Sequence, residues 1–199
     1  FRAWIPINNS NIHGYNGTFD GGEHTVSSLY FNNINTKYVG LFGNVASSGK
    51  VANVGVIDTY FNGYSYIGGV VGNNSGTVSG CYNTSTVMGS MNGGGFNTSD
   101  YIGGVVGYNS GTVSDCYNNG SVSGSVSIGG VVGYNSGIVS GCYNIGNISG
   151  DSRIGGVVGY NNNYISDDSP AIVTGCYNNG NVSGSLYVGG IVGNNRDIV

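Results

Sequence analysis

Short apolar runs alternate with breaks rich in Asn, Gly and Ser along almost the whole chain, and the runs return as words. IGGVVG occurs at 67–72, 102–107, 128–133 and 154–159, VGGIVG at 188–193, and a divergent YVGLFG at 38–43. CYN occurs at 81–83, 116–118, 142–144 and 176–178. From 102 to 128 and from 128 to 154 the first word repeats every 26 residues, whereas 67 to 102 and 154 to 188 take 35 and 34. The step between the two words places the excess near 88–97 and near 161–169. Insertions that leave the flanking words intact read as loops on a repeat scaffold.

Within 128–153 the unit holds three apolar runs, IGGVVG, IVSGCYN and NISG. Runs this short, rich in Val and Ile and bounded by turn residues, predict strands. Three strands per repeat predict an all-β fold, a right-handed parallel β-helix: a three-faced β-solenoid of about seven coils. At the usual strand spacing of about 4.8 Å it would be roughly 30–35 Å long. An up-and-down barrel or sandwich gives no reason for one period. The reading is a single β-solenoid domain over 1–199, with divergent N-terminal coils in 1–65 and regular repeats in 66–199.

Stacking in register turns each repeated position into a row. Ile67, Ile102, Ile128, Ile154 and Val188 are expected to point inward, with Val71, Val106, Val132, Val158 and Val192, and with Val78, Val113, Val139 and Val173 on a second wall. Strict alternation would turn Val70, Val105, Val131, Val157 and Ile191 outward, unless a corner buries both members of each pair. Cys81, Cys116, Cys142 and Cys176 share one position, which Val54 fills in a divergent coil. They read as a structural core ladder of small hydrophobes. Disulfides between stacked neighbours would meet poor geometry, and no CxxC pair suggests zinc. The tyrosines that follow them, Tyr82, Tyr117, Tyr143 and Tyr177, are expected outside, and Tyr108, Tyr134 and Tyr160 form another row. Such rows either stack between coils or present aromatic surface to a sugar or a protein.

Composition narrows the function. Glycine supplies 40 of 199 residues without a collagen period, and only 7% of residues are charged. A net charge of −4, with Arg2, Lys37, Lys50, Arg153 and Arg196 scattered, argues against nucleic acid. No segment is long and apolar enough for membrane insertion. The sequence opens on FRAWIPINN without a starting Met or a signal peptide, so it reads as a mature chain or part of a longer one. Scarce Lys with plentiful Asn, Ser and Tyr suits an exported protein.

Catalysis finds little support. The one glutamate is Glu23, and the aspartates Asp20, Asp58, Asp100, Asp115, Asp151, Asp167, Asp168 and Asp197 are dispersed, whereas glycoside hydrolysis needs paired carboxyls. Asp20, Glu23 and His24 in TFDGGEHTV read as a turn built on Gly21 and Gly22. His13 is the other histidine. Asp167 and Asp168 could share a cation with backbone carbonyls, but two adjacent acids in a polar loop read first as solvated, and calcium needs six or more oxygens. There is no GxSxG, HExxH or phosphate-cradling loop. Sequons such as those at Asn83 and Asn147 follow from an Asn- and Ser-rich composition. No catalytic residue, cofactor or metal is expected.

GTFDGGEHTVSSLYF, then YVGLFGNV, then GKVANVGVID, then the IGGVVG…CYN…VSG units, together resemble the GLUG-repeat family of bacterial surface proteins. The opening AWIPI resembles the segment that precedes the FDG turn in that family. The resemblance implies large exported proteins, adhesin-like ones among them, and non-catalytic regions of some secreted peptidases. The expected role is thus a non-catalytic extracellular or cell-surface module that presents a rigid repetitive face to a host glycan or glycoprotein. The alternative is a stalk or a fibre subunit self-associating through open solenoid ends. An ice-binding face would want outward threonine rows, which these units lack.

Overall fold

The computed structural model describes residues 4–9, 13–89, 100–163 and 169–199. Among the described residues thirty short strands pair into five six-stranded ladders, every pairing parallel and every neighbour one coil away in sequence. The chain is an all-β parallel β-solenoid. Among the described residues no helix is long and apolar enough to cross a membrane.

Two counts differ from the sequence expectation. One coil comprises Val126–Gly129, Val132–Asn135, Ile138–Ser140, Tyr143–Asn144 and Ile148–Ser149, five strands where three runs predict three. The first run breaks at Gly130–Val131 and the second at Gly141–Cys142. At the second break Gly80, Gly141 and Gly175, with Asn53 and Asp115 in the equivalent place, hold φ between 51° and 61°. Gly, Asn and Asp are the residues that enter this left-handed region at least cost, so the strand stops there in each coil. Among the described residues each ladder has six rungs rather than seven, a stack of about 24 Å at the usual spacing. Ile7 and Tyr15 add parallel bridges to Phe42 and Val45, part of a further rung.

Register matches the repeat. Ile67, Ile102, Ile128, Ile154 and Val188 pair in succession, as do Val71, Val106, Val132, Val158 and Val192. Apart from Val188 and Val192 on the last rung, these side chains are fully buried. The paired valines resolve as a corner: Val70, Val105, Val131 and Val157 are buried together with their neighbours. The bend itself is laddered, since Val131 N and Val132 N both donate to Val157 O at 2.9 Å. Backbone polar groups at the corner therefore stay paired, and one core runs through the stack.

That corner also closes up. A Cβ on Gly107 would lie 2.5 Å from the Ile67 nitrogen of the preceding rung, and Gly133 meets Ile102 N in the same way. Only glycine lets the two ladders approach so nearly. The residue before the Ile or Val has φ between 53° and 62° in five coils, at Tyr38, Tyr66, Ser127, Arg153 and Tyr187, whereas Tyr101 before Ile102 does not share the kink. This kink keeps Ser65 and Ile67 both buried while the ring of Tyr66 projects from the outer side of the corner.

Candidate functional site

Two tyrosine systems emerge, and they differ in kind. Tyr82, Tyr117, Tyr143 and Tyr177 pair in register along one ladder. Their rings stack with centroids 4.8, 4.8 and 4.9 Å apart and within 6° of parallel. The spacing is that of the rungs, so the backbone sets the stack. Each inner ring gives both faces to its neighbours, and the Tyr82 ring lies over Gly55, so the ladder shows ring edges and hydroxyls outward. Only Tyr177, 49% exposed, is open. Burial, then the neighbouring phenols, pushes the Tyr117 hydroxyl above its ordinary pKa, and Tyr143 shifts the same way.

The second system is a groove at the outer side of the corner. Tyr38, Tyr66 and Tyr101 enter from one ladder and Tyr108 and Tyr134 from the other, around about 480 Å³ of open volume. Here the rings meet at varied angles: Tyr38–Tyr66 at 39°, Tyr101–Tyr108 at 47°, Tyr101–Tyr134 at 54° and Tyr66–Tyr101 at 88°, while Tyr108 and Tyr134 stack at 11°. Asn73, Ser75 and Ser136 complete the lining, and the Tyr108 hydroxyl meets Ser136 Oγ at 3.1 Å. Burial, and then the phenols around it, push Tyr66 up to about 12. Burial raises Tyr134 as well, against a hydrogen bond with Asn162.

The row Tyr108, Tyr134, Tyr160 is therefore not the uniform outer row that the sequence suggests. Tyr108 is half-buried, whereas Tyr134 is 6% and Tyr160 2% exposed. Tyr160 is covered because the position beside it holds Arg153, whose guanidinium lies 4.5 Å from the ring centre, and because Tyr134 packs edge-on against it at 5.2 Å. Tyr160 is a packing residue here. Tyr38, Tyr66 and Tyr101 belong to the groove although the repeat words alone did not single them out. The signal was present as an aromatic immediately before VG or IG, but the directions of Tyr38 and Tyr66 depend on the kink.

Cys81, Cys116 and Cys142 are buried and Cys176 is half-buried, all four as free thiols. Each inner Sγ donates to the carbonyl two residues earlier, as from Cys116 to Ser114 O at 3.1 Å. Burial pushes the Cys116 thiol well up. Val54 occupies the same place in its own coil and is also buried.

Sequence reasoning missed two rows of asparagine. Asn83 Nδ2 donates to Asn118 Oδ1, Asn118 to Asn144 and Asn144 to Asn178, each at 2.8 Å. A second row runs from Asn74 through Asn109, Asn135 and Asn161 to Asn195, again at 2.8 Å. The rung spacing places identical amides so that the NH2 of one reaches the carbonyl of the next. The invariant Asn of CYN and of VGYN was the available signal.

Elsewhere the chemistry is modest. Asp20 Oδ1 accepts from Gly22 N at 3.0 Å and from Asn53 Nδ2 at 3.1 Å, which lowers its pKa, the Gly22 bond first. Glu23 sits at φ 64°, and His24 N donates to Gly21 O, so this acidic triplet forms a turn. Among the described residues no three His, Cys, Asp or Glu side chains group so as to hold a metal. Asp167 and Asp168, and most of both insertions, lie outside the described residues.

The model of the GLUG motif matches residues 98–123 and 150–183. These two segments carry the GLUG motif. The first match covers the strand words around Ile102 to Val122, the second those around Ile154 to Val182. Over 90 residues, or 45% of its length, the chain is 32% identical to halomucin of Haloquadratum walsbyi (strain DSM 16790 / HBSQ001). It spans about 1% of halomucin's length. No solved structure matches it.

Proposed function

We propose that this GLUG-motif solenoid is a non-catalytic, extracellular or cell-surface recognition module that holds aromatic surface rigidly against a glycan or glycoprotein. The observation that carries the reading is the projection of tyrosines from fixed repeat positions on a backbone bonded rung to rung. A ring held by its scaffold loses little freedom on binding, so its contact area is used efficiently. Export is supported by the low Lys and Arg content and by the likeness to halomucin. The absence of paired carboxyls around Glu23 argues against hydrolysis.

The test is binding of the folded chain to immobilised oligosaccharides and mucin-type glycoproteins. Saturable binding supports recognition; a blank from folded protein sinks it. A stalk or fibre subunit is the second reading, supported by parallel ladders in which each coil pairs with the next, an architecture that extends by adding rungs. Rods that lengthen with concentration in electron micrographs would support self-association, and a monomer at high concentration would count against it.

A further inference from the structure

We infer that the corner groove lined by Tyr66, Tyr101, Tyr108, Tyr134, Asn73 and Ser136 is a binding site for a neutral oligosaccharide. This rests on the recognition reading above and assigns it a place and a ligand class. The groove offers what a pyranose needs and little else. Its rings meet at angles from 11° (Tyr108–Tyr134) to 88° (Tyr66–Tyr101) rather than in one parallel stack, and Tyr66, Tyr101 and Tyr108 are half-buried, so they offer apolar ring surface to the C–H side of a sugar, unlike the parallel Tyr82–Tyr177 stack. Between the rings stand an amide, two serine hydroxyls and the phenol hydroxyls, which donate to and accept from sugar hydroxyls. Among the described residues the lining carries no charge, so a sialylated or sulfated chain finds no cation to pair with.

A peptide is a poorer fit. Peptides bind such sheets by adding a strand to a free edge, and the strands that border this groove are already paired on both sides at its centre. Length favours a chain of sugars over one. A second groove, of about 540 Å³, shares Ser136 and continues along Thr112, Ile138 and Ile172. The rungs are one strand spacing apart, about 4.8 Å, close to the length of one sugar unit, so successive residues would meet successive rungs.

The test uses the full chain against an array of neutral, sialylated and sulfated oligosaccharides plus mucin glycoprotein. Three proteins are compared: the parent, Tyr108→Ala, and Tyr66→Phe combined with Tyr108→Phe, which keeps the rings and removes two hydroxyls. Circular dichroism checks that each is folded. Neutral oligosaccharides are expected to bind the parent, with affinity lowered roughly tenfold by Tyr108→Ala and a few-fold by the double Phe variant. Neutral binding that both variants retain would overturn the groove while leaving recognition intact. Hits confined to charged glycans would overturn the ligand class. No binding by the folded parent to any glycan or glycoprotein would overturn both readings together.

Discussion

Asn118 donates its side-chain amide to Asn144 Oδ1 at 2.8 Å, and both side chains are fully buried. Asn118 Nδ2 also donates to Gly120 O at 2.7 Å, and its Oδ1 accepts from Gly120 N at 3.2 Å and from Asn83 at 2.8 Å. Every donor and acceptor position is used, and the turn after the strand depends on it.

Asn118→Asp is therefore expected to be severe. The carboxylate has no proton to offer Asn144 Oδ1, so two acceptors face each other in the core. A buried group left without its partner costs about 1–3 kcal/mol, and more when charged. Urea unfolding should show a loss of roughly 3 kcal/mol or more for Asn118→Asp. Asn119→Asp, at the exposed neighbour, should lie within about 0.5 kcal/mol of the parent. Equal stability for the two variants would deny the amide row its structural role.

The 26-residue period and the inward Ile and Val rows were legible because a buried ladder demands one residue type at one spacing. The corner at Val131 was legible as an alternative to an apolar outer row. The five-ladder cross-section was not, because the runs are continuous in hydrophobicity and only backbone bends, at Gly130–Val131 and, left-handed, at Gly141, divide them. The amide rows stayed hidden since Asn next to Gly or Ser reads locally as a turn residue. Their partners lie 26 or more residues away. The groove required knowing that Gly107 lets two ladders meet and that Tyr66 is kinked outward, neither of which hydrophobic periodicity encodes.

Gly69 and Gly190 hold the same place in their repeats but differ in surroundings. A Cβ at Gly69 would lie 2.5 Å from Gly104 O and 2.7 Å from the Asn83 amide carbon, whereas at Gly190 nothing lies within 4 Å. Neither has a left-handed backbone, so crowding is the variable. Gly69→Ala should lower stability by about 1–3 kcal/mol, the usual cost of forcing atoms into a packed site, and Gly190→Ala should be near neutral. Thermal melts of both variants check it; equal effects would place the cause in the unfolded chain rather than in stacking.

Thiol accessibility follows the rungs. Cys81, Cys116 and Cys142 are buried between neighbours, and only Cys176 is half-exposed. Burial also keeps the Cys116 thiol protonated, and the thiolate is the reactive form. Alkylation of the native chain at pH 8 should label Cys176 alone, with the other three reacting in denaturant. Rapid native labelling of Cys116, read by peptide mass spectrometry, would mean that the core opens far more readily than this packing allows.

The groove leaves a mark at alkaline pH. Sixteen tyrosines are present, and Tyr66 ionises only near 12 because burial penalises the phenolate. In the unfolded chain it would ionise near 10. Between those two values the folded state binds the proton more tightly, so the contribution of Tyr66 to stability is constant below pH 10 and falls as pH rises from 10 to 12. A titration at 295 nm should therefore show a first wave from exposed tyrosines and a later one that accompanies unfolding. Tyr66→Phe removes one of the groups that drive this loss, so its unfolding midpoint should drop less between pH 10 and 12 than that of the parent. An unchanged slope in Tyr66→Phe would mean that the phenol is as well solvated as in the unfolded chain, and that the corner is more open than the ring contacts at 4.8 and 5.1 Å indicate.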